Sequence, residues 1–127
     1  MSLYLTIQQL YFIKRNIIML TDKQRYKLFK HTLWECSSDI LSLDDVFFVR
    51  YIFEELPIDM RCYLYKDALD ALFESGYIDE KIYNKVSDLR DYYFQVEHEL
   101  HKEGIRESRE IQHIMKLADE INSLLYM

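Results

Sequence analysis

Metal chemistry could arise in this chain at two histidine-bearing stretches. Glu97, His98, Glu99, Leu100 and His101 set two histidines three residues apart among carboxylates. The zinc-protease helix needs them four apart, because that spacing turns both rings toward one ion. Leu100 also falls on an apolar seam, so the histidines flank a packed position. Glu110 and His113 form one Glu-x-x-His step, whereas a di-iron bundle requires two such steps and two further inward glutamates. Both pairs are expected on solvated helix faces, and neither a metal nor a cofactor is expected.

Nucleophilic chemistry is signalled no better. Cys36 and Cys62 have no CxxC spacing and read as two reduced core thiols of a cytoplasmic protein rather than as a zinc site or a disulfide. There is no Gly-rich phosphate loop and no Gly-x-Ser-x-Gly turn to expose a serine. The chain is therefore not expected to be an enzyme. Its surface offers two charged stripes instead. Lys23, Lys27 and Lys30 recur at helical steps beside Tyr26 and near Trp34, as a phosphate-contacting face would, but the overall negative charge disfavours nucleic acid. Acidic residues aligned with aromatics form the second. Asp44, Phe48, Tyr51 and Glu55 are expected to share one helix face, and Tyr63, Asp67, Asp70 and Glu74 another. Aromatic anchors ringed by charge suit a protein interface, and a basic protein would complement this one.

The charge is unevenly laid out along the 127 residues, whose formal sum is −6. Residues 1–34 carry six basic side chains against Asp22 alone, a formal +5, and residues 35–80 carry twelve acids against Arg50, Arg61 and Lys66, a formal −9. The remaining segment is close to balance at −2. Negative potential is thus concentrated in the middle third.

The elements that must position these groups are helices. Gly76, Gly104 and Pro57 are the only glycines and proline, so β-hairpins lack turn residues while long helices run uninterrupted. The expected architecture is all-α: a single domain, 1–127, built as a bundle of about six helices with a long C-terminal αα-hairpin. A first helix is expected over about 3–18, although Tyr4 to Ile7 also fits a strand. Gln8, Gln9, Lys14, Arg15 and Asn16 interrupt that apolar segment, so neither a signal peptide nor a membrane span is expected.

Thr21 and Gln24 read as a capping box that opens a helix to about Cys36, with Tyr26, Phe29, Leu33 and Cys36 inward. Ser42 is expected to start a largely apolar helix that Pro57 ends near Leu56. Asp59 then caps a fourth helix running to Ser75 and Gly76. Asp79 caps a fifth, from about Glu80 to Lys102, whose seam is Ile82, Val86, Leu89, Tyr93, Val96 and Leu100. Gly104 breaks it, and Ile111, Ile114, Ala118, Ile121 and Leu125 line the last helix.

An acidic helical chain with a surface such as Asp44, Tyr51, Glu55, Tyr63, Asp67 and Asp70 resembles the small bacterial immunity proteins of contact-dependent growth inhibition. The resemblance is one of character across the whole chain and rests on no motif. It implies a stoichiometric inhibitor that occludes the active site of a basic toxin, often a nuclease, with Asp44, Tyr51, Glu55, Tyr63, Asp67, Asp70 and Glu74 as the partner-binding residues. A helical adaptor that self-associates through the terminal hairpin is the second reading, and a nucleic-acid binder using the lysine stripe the third.

Overall fold

Thr21 folds back on the chain as the capping box requires: its hydroxyl accepts from Gln24 N at 3.1 Å and its own N–H donates to the Gln24 side chain at 2.9 Å. The computed structural model describes residues 20–126, and the expected first helix, Leu3 to Ile18, lies outside them. Five helices follow, with no strand among the described residues. They are α1 (Asp22–Glu35), α2 (residues 45–63), α3 (Lys66–Glu74), α4 (Glu80–Val96) and α5 (Arg109–Leu125). A 3-10 turn, Ser38–Ser42, joins α1 to α2, and two more, Glu97–Glu99 and Ile105–Glu107, lie between α4 and α5. No helix among the described residues is long and apolar enough to cross a membrane.

Helix α2 departs from expectation at both its start and its middle. Its N-cap is Asp44, whose carboxylate accepts from Phe47 N at 3.0 Å; Ser42 belongs to the preceding 3-10 turn. Pro57 does not end the helix. Residues Asp45–Arg50 run into a π-helical turn, Tyr51–Glu55, and on into Leu56–Tyr63, with helical dihedrals at both joints. In that wide turn Leu56 N–H reaches back five residues to the Tyr51 carbonyl. The extra residue moves the Pro57 ring off the carbonyl that it would otherwise strike, and proline has no N–H to leave unpaired. Asp59 consequently lies inside the helix and caps nothing.

The chain breaks instead at Leu64 and Tyr65, where the backbone turns extended at Tyr65. Leu64 is fully buried, and its freed carbonyl accepts from Arg90 on α4 at 3.3 Å. Tyr63 therefore sits on α2, while Asp67, Asp70 and Glu74 sit on α3, and the four do not form one helix stripe.

Helix α4 starts where expected, Asp79 accepting from Ile82 N at 2.8 Å, but stops at Val96 rather than near Lys102. The cause is Glu97, which is buried and turned inward onto α2. Its two oxygens accept from Arg61 at 2.6 and 2.9 Å, and one also accepts from Tyr93 Oη at 3.0 Å. Gly104 then takes the left-handed conformation, φ +71°, which an L side chain adopts only at a cost.

A single apolar cluster draws on all five helices. Phe29 and Leu33 of α1, Phe48, Ile52, Leu56 and Met60 of α2, Leu69 and Leu72 of α3, Leu89 and Tyr93 of α4, and Ile111 and Ile114 of α5 are all at or near full burial. Near the start of the final hairpin helix, His113 meets the Tyr92 ring of α4 at 4.6 Å. Arg106, between the two hairpin helices, locks the start of α2: it donates to the Leu41 and Leu43 carbonyls and to Asp45, and lies 4.2 Å over the Phe48 ring.

Candidate functional site

The seven expected partner-binding residues do not share one surface. Asp70 and Glu74 of α3 face α4 across an open groove of about 410 Å³, lined also by Phe73, Glu80, Tyr83 and Asn84. Phe73 is 45% exposed, its ring 5.6 Å from that of Tyr83. Tyr83 Oη donates to Asp70 at 2.6 Å, and Lys66 donates to the other Asp70 oxygen at 2.7 Å. Those bonds hold the Asp70 carboxyl below its usual range and raise Tyr83 and Lys66 above theirs. Asp70 is thus occupied in fixing Tyr83, whereas Asp67, Glu74 and Glu80 are exposed and make no ion pair among the described residues. An aromatic ring beside unpaired carboxylates can take the alkyl stem and the cationic head of a lysine or arginine from a partner.

The other residues go elsewhere. Asp44 is spent as the α2 cap, and Phe48, its intended neighbour, is fully buried. Tyr51, Glu55 and Tyr63 stand on the α2 side that meets α1. There Tyr51 meets Trp34 edge-on at 5.3 Å, and Trp34 in turn stacks on His31 at 5.6 Å. Beneath these rings lies Glu35, wholly inaccessible to solvent. His31 Nε2 is 3.3 Å from one Glu35 oxygen without an aligned hydrogen bond, and neither oxygen has a hydrogen-bond donor among the described residues. Burial above all, then the close approach of the Asp59 carboxyl, then the Glu55 charge, push Glu35 up to about 10. Tyr63 is pushed up to about 12, chiefly by burial, with Cys62, Asp59 and Glu35 adding to it.

None of His31, Glu35 and Asp59 stood out in the sequence as a site. A usable signal exists: His31 and Glu35 are four apart, and helical residues at that spacing share a face. The histidines that did stand out are inert by comparison. His98 and His101 are exposed, and His113 is exposed and engaged with Tyr92. Both cysteines are buried free thiols, Cys62 pushed up to about 12 and Cys36 beyond that, mainly by desolvation, so neither supplies a thiolate at neutral pH. In the lysine stripe, Lys23 and Lys27 are exposed, but Lys30 is folded 4.7 Å over the Tyr26 ring.

Compared with known proteins, the chain matches no family model, no curated sequence and no solved structure.

Proposed function

We propose that this chain is a stoichiometric protein-binding inhibitor whose groove between α3 and α4 receives a basic partner protein. The observation that carries this is the exposed Phe73 ring set among Glu74, Glu80 and the Asp70–Tyr83 pair. An aromatic surrounded by unpaired carboxylates provides a desolvated anchor and a steering field together. The concentration of charge in residues 35–80 extends that field, which speeds the capture of a cation-rich surface. A toxin domain with a cationic cleft, such as a nuclease, is the specific partner we infer. In it the carboxylates of α3 and α4 would stand where substrate phosphates bind, and the inhibitor would act in the cytoplasm.

The seven expected partner-binding residues act unequally in this scheme. Glu74 and Asp67 contribute charge, Asp70 orients Tyr83, and Asp44, Tyr51, Glu55 and Tyr63 lie outside the groove. Capture from native cells with the wild-type chain and with a Phe73→Ala, Glu74→Lys, Glu80→Lys variant tests this. The wild type should retain a basic protein whose affinity falls at least about 100-fold in the variant, as loss of an anchor and two charges entails. A retained partner indifferent to the triple change would place the interface elsewhere.

A further inference from the structure

His31 and Glu35 leave α1 on one face, a turn apart, and α2 lays Asp59 against them. One donor atom from each of the three lies within 4.8 Å of the other two. Glu35 is fully buried, and both its oxygens lack a hydrogen-bond donor among the described residues. Buried carboxylates ordinarily meet a cation or several donors, and Glu35 meets neither a lysine nor an arginine among the described residues.

We propose that His31 Nε2, a Glu35 oxygen and an Asp59 oxygen bind a divalent transition-metal ion of the zinc type, which joins α1 to α2. Zinc–nitrogen and zinc–oxygen bonds of about 2.1 Å set the donors of a tetrahedral ion about 3.4 Å apart. The His31 nitrogen and the Glu35 oxygen are already 3.3 Å apart, and an Asp59 ligand atom lies within 4.8 Å of both. Two carboxylates balance the charge of a dication. An imidazole beside them favours zinc over magnesium and calcium, which prefer oxygen ligands. The stack on Trp34 holds the imidazole plane in place, the role that outer contacts play around metal-bound histidines. The His31 side chain is 50% exposed, so water reaches the fourth position.

Titration of the metal-stripped chain with Co²⁺, followed by displacement with Zn²⁺, tests the site optically. One equivalent of Co²⁺ should bind with the visible absorption of a tetrahedral ion and without a thiolate charge-transfer band. His31→Ala truncates a half-exposed ring and should keep the helical circular dichroism while weakening binding at least about 10-fold. Asp59→Asn should act alike, and His98→Ala should change nothing. Absence of stoichiometric Co²⁺ and Zn²⁺ binding would overturn the proposal, as would a thiolate band or binding that survives His31→Ala in a folded chain.

Discussion

Glu97→Ala lowers the unfolding free energy by about 2–4 kcal/mol, and the melting temperature by roughly 7–15 °C, because three hydrogen bonds from two residues are lost together. Arg61 donates to both Glu97 oxygens, and the buried Tyr93 hydroxyl donates to one of them. With the carboxylate gone, Arg61 retains only the Pro57 carbonyl at 2.7 Å and the face of Phe94 at 5.0 Å. The Tyr93 hydroxyl, at full burial, retains no partner. The range stays below that of a fully sealed pair because the Arg61 side chain is 25% exposed. Joint replacement, Arg61→Met with Glu97→Leu, should recover most of the loss, since it leaves no charge unpaired. Urea denaturation of the single and double variants checks both statements. A loss below about 1 kcal/mol for Glu97→Ala would reduce the pair to a screened surface contact.

Glu35→Met acts in the opposite direction. It raises the unfolding free energy by about 1–3 kcal/mol at pH 8 in the presence of a chelator, the cost of a buried polar group without partners. The pH dependence has a defined sign. The folded chain holds the Glu35 proton up to about pH 10, while the unfolded chain releases it near 4.5. The native state therefore binds the extra proton between those values, and its stabilising effect is complete below pH 4.5 and lost progressively as pH rises toward 10. Wild-type stability should decline across that window, and the methionine variant should decline less, so that its advantage grows with pH. Chemical denaturation at pH 5, 7 and 9 reads this directly. A variant less stable than wild type, or one with an unchanged pH slope, would show that Glu35 is satisfied where it stands. Natural chains keep such a destabilising group where it serves a site, and that is why the contact between α1 and α2 stands out.

Local chemistry was legible where a residue acts on its own backbone. The Thr21–Gln24 box and the Asp79 cap follow from side chains within three or four positions, and the left-handed turn at Gly76 from the missing Cβ. The hairpin seams follow from the same short-range periodicity. What escaped depends on partners distant in the chain. Leu64 and Tyr65 carry no breaking residue, and the break between them is matched by Arg90, 26 positions on. Glu97 leaves its helix for Arg61, 36 positions back. Pro57 continues a helix instead of ending one because a π-turn, which no local residue announces, absorbs it.

The acidic surface divided for the same reason. The stripe from Tyr63 to Glu74 crosses a break that only tertiary contact reveals, so Tyr63 belongs with α1 and α2 while Asp70 and Glu74 join Glu80 and Tyr83. Pairing His31 with Glu35 required only the helical repeat, but Asp59 entered through packing. An i,i+4 pair without its third member carries little weight.

The α3–α4 groove is the centre of the functional account, and amide chemical-shift mapping of the ¹⁵N-labelled chain against an arginine-rich peptide at about 0.15 M salt tests it most directly. Saturable shifts confined to Phe73, Glu74, Glu80, Tyr83 and Asn84, and abolished by Phe73→Ala, are the predicted result. Shifts spread over every acidic segment in proportion to its charge, or centred on α1 and α2, would contradict it.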